Sequence, residues 1–181
     1  MIHSNRTIAA IATRLGLLGA AAGGIALAVV GVPATATPGS GFAPSPLAVG
    51  VLAETMIRAE NLDKSAKAAN ADHWDLMLKT GNDSTVGVDN ISVQPGGFSG
   101  WHKHAGITMV TVASGQINWV DGVTCTMKTY RAGDTFIEPA GRPHNVKNPY
   151  GNTATFAAVQ MRPVGTGPRI DVPVAPPNCN L

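Results

Sequence analysis

This sequence is short of charge. Asp, Glu, Lys and Arg make up 13% of its 181 residues, about half the share usual in soluble domains. That scarcity suits a compact β-rich domain better than a helical one. The charge is also balanced once the N-terminus is set aside: the first 36 residues hold Arg6 and Arg14 and none of the 11 Asp and Glu, so the remaining 11 Lys and Arg are matched in number. No basic excess is left for nucleic acid or an anionic membrane surface. Cysteine is scarcer still, with only Cys125 and Cys179, and neither has the C-x-x-C spacing of a redox or zinc site. No period of 20 to 50 residues repeats, which argues against a solenoid or a duplicated barrel.

What is present begins with an export signal. Arg6 and Arg14 form a positive front, Leu15 to Val32 are apolar throughout, and Ala34-Thr35-Ala36 is a small-x-small cleavage site. The apolar run approaches the roughly 18 residues of a spanning helix. Its five glycines and the A-x-A site favour cleavage after residue 36, with no stable membrane span left behind. A secreted or cell-envelope location follows, and an oxidising compartment predicts a Cys125–Cys179 disulfide. Such a bridge would tie the Pro-rich tail, residues 163–181, to the body. By the chain-entropy model, closing a loop of that length stabilises by roughly 4 kcal/mol.

Residues 37–50 mix Pro, Gly and Ser without periodicity and read as a flexible lead-in to a domain over 51–162. Short alternating runs then predict strands at 51–59, 73–80, 85–93, 108–114, 116–120, 124–130, 135–139, 144–148 and 153–161, with breaks such as "GND", "RAGD" and "AGRP". The Ala-, Lys- and Asn-rich stretch 60–72 fits a short helix or a loop. Many short strands at near-even spacing predict an all-β antiparallel barrel or jelly roll.

Of five histidines, His3 leaves with the signal, and His73, beside Trp74 in a strand of ordinary composition, stands apart. His102 and His104 are two apart on an extended segment, so they share a face with Lys103 opposite. Two imidazoles so placed can address one divalent cation. His144 follows "PAGRP" at the start of another strand and is the candidate third ligand.

These residues resemble the two motifs of the cupin superfamily. The first, G(X)5HXH(X)3-4E(X)6G, is matched by "GGFSGWHKHAGITMVTVASG": Gly96 or Gly97 opens it, His102 and His104 follow, and Gly115 closes it. The second, G(X)5PXG(X)2H(X)3N, is matched in full by Gly133, Pro139, Gly141, His144 and Asn148. The resemblance implies a jelly-roll barrel, a divalent transition metal (Fe, Mn, Zn, Cu or Ni) on His102, His104 and His144, a small-molecule ligand or substrate and, as in many single-domain cupins, a homodimer.

One position departs from the pattern. Where the family places a metal-binding glutamate this chain has Thr108, on the same face as the histidines. A neutral three-histidine set would leave the ion's charge uncompensated and favour an anionic ligand, as the resemblance to thiol dioxygenases implies. Glu138, just before Pro139, is a second candidate for the carboxylate. Pointing inward it could serve as a general base or hold a histidine, and pointing outward it would be solvated. Arg142 at the barrel mouth could receive a carboxylate or serve solubility. Three functions remain open: a dioxygenase-type oxidoreductase, a non-catalytic small-ligand or metal-binding cupin, and a metal-free epimerase or isomerase, which would need a His-Asp pair or a tyrosine acid in the cavity, whereas Tyr130 and Tyr150 both fall near predicted turns.

Overall fold

The structure, a computed structural model, describes residues 39–60, 75–177 and 179. The expected signal peptide, most of the stretch 60–72 and His73 lie outside these residues. The described part is all β, with no helix. Twelve strands occur: β1 (Ser40–Leu52), β2 (Met56–Glu60), β3 (Asp75–Lys79), β4 (Ser84–Phe98), β5 (His102–Lys103), β6 (Ile107–Ser114), β7 (Gln116–Asp121), β8 (Met127–Arg131), β9 (Thr135–Glu138), β10 (His144–Lys147), β11 (Ala154–Pro163) and β12 (Ile170–Asp171). β2 and β3 pair only with each other, and the other ten form one antiparallel sheet folded into a nearly closed barrel.

The barrel has two walls, β1-β4-β11-β6-β9 and β8-β7-β10-β5-β12, joined where Phe98 at the end of β4 meets Lys147 of β10. Period-two alternation sets what each wall buries. Along β6, Thr108, Val110 and Val112 point in while Ile107, Met109 and Thr111 point out. Register then stacks the inward residues in rows across the strands. Ile91, Phe156 and Val112 form one row, Asp89, Ala158, Val110 and Phe136 the next, and Gly87, Gln160, Thr108 and Glu138 the next. The first two rows supply most of the main apolar core. The third is mostly polar.

Of the stretch 37–50, expected as a flexible lead-in, residues 40–50 are strand: β1 runs along β4 from Ser40↔Phe98 to Leu52↔Ser84. Composition misled here because prolines disfavour central strands but are tolerated at an edge, where a missing N–H faces no partner. β4 is the only partner of β1 among the described residues, and Pro44 and Pro46 stand at alternate positions on it. The tail beyond 162 also enters the sheet, since β12 pairs with β5.

The disulfide expected between Cys125 and Cys179 is present, closing a separation of 54 residues. It belongs to a second small core in which Trp101, Val120 and Cys179 are buried against Val172 and Ala175. Trp101 therefore faces away from the histidines, as strand parity requires.

Candidate metal centre

The two histidine segments meet because β10 lies beside β5, with His144 directly opposite His102. Backbone contacts tie the motifs together. Gly141, at φ 71°, makes the turn before β10 and donates its N–H to the His104 carbonyl at 2.8 Å. That left-handed φ is open to glycine and costly for most other residues. At the far end, Asn148 is fully buried and its Nδ2 donates to the carbonyls of Val93 and Asn152. Its backbone exchanges hydrogen bonds with Gly96 and Gly97.

His102, His104 and His144 are all buried, and their candidate ligand nitrogens lie within 4.8 Å of one another. Each ring is held from behind: Nδ1 of His102 faces the Gly100 carbonyl at 2.9 Å, that of His104 the Pro168 carbonyl at 2.7 Å, and that of His144 the Arg142 carbonyl at 3.0 Å. A carbonyl only accepts, so each Nδ1 carries a proton and a neutral ring keeps a bare lone pair on Nε2. Backbone or carboxylate partners on the far nitrogen are the usual way a metal-ligating histidine is oriented. Trp119 stacks on His144 at 5.7 Å and helps set that ring's plane.

Glu138 points inward. Its Oε2 lies 3.1 Å from His104 Nε2 and its Oε1 lies 3.2 Å from His144 Nε2. Burial alone would raise this carboxyl's pKa, but the neighbouring His144 and His104 hold it below the usual carboxylate range. The same contest raises His144: burial acts downward, and the Glu138 charge overcomes it. His102 is pushed down to about 2, first by burial and then by the nearby charge of His144. His144 Nε2 nevertheless has no hydrogen-bond partner. Bare lone pairs facing carboxylate oxygens at this range repel unless positive charge lies between them. A proton on His144 Nε2, which its raised pKa favours, or a cation between the groups meets that need, and three oriented imidazoles with a buried carboxylate to balance charge are a donor set that fits a divalent cation.

Thr108 pairs directly with Glu138 across β6 and β9. A buried carboxylate therefore stands one strand over from the position where the motif has its glutamate.

A cavity of about 230 Å³ opens beside His102 and His104, with Glu138, Thr108, Gln160 and Asp89 among its polar walls. Thr108 Oγ1 and Gln160 Oε1 are buried without hydrogen-bond partners, an arrangement that costs about 1–3 kcal/mol per group when nothing satisfies it. Arg142 does receive a carboxylate, but the chain's own: its Nε and Nη2 bind Asp121. Tyr130 stacks on Phe136, and Tyr150 donates its hydroxyl to Asn118 Oδ1. Neither tyrosine lines the cavity.

Sequence reasoning did not single out Gln160, Pro168 or Arg169. Gln160 carried a local signal, a polar residue at an inward position of the alternating run 154–160. Pro168 and Arg169 carried none, because only the long-range β5–β12 pairing brings them to the site.

Residues 90–159 match the model of the cupin domain family. Among solved structures the chain is similar to a cupin 2 conserved barrel domain protein from Salinispora arenicola, at 25% identity over 44% of this chain and 64% of that one, with a TM-score of 0.40. It is also similar to the polyketide cyclase RemF from Streptomyces resistomycificus, at 22% identity over 45% and 62% with a TM-score of 0.40. A third is a protein with a double-stranded β-helix domain from Klebsiella pneumoniae, at 28% identity over 52% and 78% with a TM-score of 0.41. The chain spans less than two thirds of the first two proteins. No curated protein matches it. Both histidine motifs lie within the matched residues 90–159 and stand on a jelly-roll barrel, which supports the cupin superfamily.

Proposed function

We infer that this cupin is exported, holds one divalent transition metal ion through His102, His104 and His144 with Glu138 as a fourth ligand, and acts as a dioxygenase-type oxidoreductase on a small molecule in the adjoining cavity. The observation that carries the reading is the trio of Nδ1-anchored imidazoles whose candidate ligand nitrogens lie within 4.8 Å of one another, two of them facing the buried Glu138 carboxylate. A bound ion of this kind supplies Lewis acidity and, for a redox-active metal, electrons. The protein's part is to orient three rings through backbone carbonyls, balance charge with Glu138 and exclude water with the apolar rows beneath. Export is supported by the Cys125–Cys179 bridge, since disulfides persist in oxidising compartments. A non-catalytic binding role is favoured by one feature: both Glu138 oxygens face histidines, which leaves neither free for a substrate proton.

Elemental analysis of protein recovered from its export compartment, with oxygen uptake measured across a panel of small molecules, tests both readings. The expected result is about one ion per chain, lost in His144→Ala and held roughly 10- to 100-fold more weakly in Glu138→Gln. Failure to bind Fe, Mn, Zn, Cu or Ni under any loading condition defeats the metal site. Stoichiometric metal without oxygen uptake favours the binding role.

A further inference from the structure

Two polar atoms buried in the cavity without partners are neighbours. Thr108 and Gln160 oppose each other across β6 and β11, both line the cavity, and Thr108 Oγ1 and Gln160 Oε1 are unsatisfied. The residues are only 1% and 7% exposed, so bulk water does not serve them. Directly opposed residues hold their Cβ atoms about 4.5–5.5 Å apart, close enough for one small group to meet both side chains.

The pair's chemistry selects that group. Gln160 Oε1 accepts, while the Thr108 hydroxyl can donate and accept. A ligand hydroxyl satisfies both at once by donating its proton to Gln160 Oε1 and accepting from Thr108 Oγ1. A carbonyl brings no proton for Gln160. A carboxylate brings none either, and it meets the Glu138 charge next in the row. Arg169, a cation at the cavity, is already engaged by Asp171. Asp89, His102 and His104 also line the cavity, and the rest of its wall is apolar, with Phe42, Pro44, Ile91 and Phe156 among it. An apolar cavity of roughly 150 Å³ takes benzene, so this one, at about 230 Å³, suits a single substituted ring or a short branched chain.

We propose that Thr108 and Gln160 form a hydroxyl-recognition subsite that orients a small, neutral, largely apolar alcohol or phenol with its oxygen toward Glu138. The ligand's relation to a metal rests on the reading given above; the subsite itself does not require one.

The test is an NMR titration of the purified protein with benzyl alcohol, phenol, toluene, benzaldehyde and benzoate. Benzyl alcohol and phenol are expected to bind about tenfold or more tightly than toluene and benzaldehyde, with benzoate weakest. Thr108→Val and Gln160→Met should each bring benzyl alcohol to the level of toluene while toluene keeps its affinity. Equal affinity of the wild-type protein for benzyl alcohol and toluene overturns the proposal, and so does a preference that survives both substitutions. Metal content of the same sample separates the two readings. Stoichiometric metal without an alcohol preference defeats the subsite alone, whereas an alcohol preference in protein that takes up no metal supports the subsite and defeats the metal site.

Discussion

Asp121 acts on the site through its neighbour. It lies opposite His144 across β7 and β10 and binds the guanidinium of Arg142, whose carbonyl holds His144 Nδ1. It also accepts from the Val123 N–H and the Thr124 hydroxyl, fixing the turn after β7. These contacts, the Arg142 hydrogen bond first, lower its pKa from 3.8 to about 2. A carboxyl depressed on folding contributes stability above its unfolded pKa and loses it as pH falls through its folded one. Asp121→Asn should therefore be less stable than wild type at neutral pH, with a gap that narrows as the pH falls below about 3.8 and on through about 2. Urea denaturation midpoints across that range check this, and a gap that stays constant with pH overturns it.

At the scale of elements, the short strand β12 matters more than its two residues suggest. It places Asp171 opposite His102 and Ile170 opposite Lys103, and just before it the Pro168 carbonyl orients His104. A two-residue strand has little hold of its own. The tail is secured further on, where Val172 donates to the Trp101 carbonyl and Cys179 bonds Cys125 beside Trp101 and Val120. Replacing both cysteines by alanine should lower stability by about 4 kcal/mol, from the entropy of the 54-residue separation released. Metal affinity should fall with it as His104 loses its fixed partner. Calorimetry with metal titration reads both, and unchanged affinity would show that the tail's other contacts suffice to hold Pro168.

For the molecule as a whole, Asn148 connects the two motif loops and the ends of β4 and β10. Its side chain satisfies two carbonyls and accepts from the Tyr150 N–H, all in a buried position. Removing that side chain leaves buried backbone groups unpaired, so Asn148→Ala should cost about 2–3 kcal/mol. The thermal midpoint should drop by roughly 4–12 °C. A shift under a degree would mean that water replaces the amide.

Strand parity put His102, His104 and Thr108 on one face and Trp101 on the other, and motif spacing identified His144 and Asn148. Those features depend on near neighbours in the chain, whose directions alternation dictates. Alternation could not say whether Glu138 turns inward, because a four-residue strand between turns can present either face. Register decided it, by setting Glu138 opposite Thr108. Register likewise set Gln160 beside Thr108, drew the proline-bearing segment 40–52 along β4, and brought Pro168 behind His104. The sequence by itself determined the barrel class and the three histidines, since both follow from local periodicity and fixed spacing. Which carboxylate faces those histidines, and which polar pair lines the cavity beside them, was decided only by the tertiary structure, because each depends on the alignment of strands far apart in the chain.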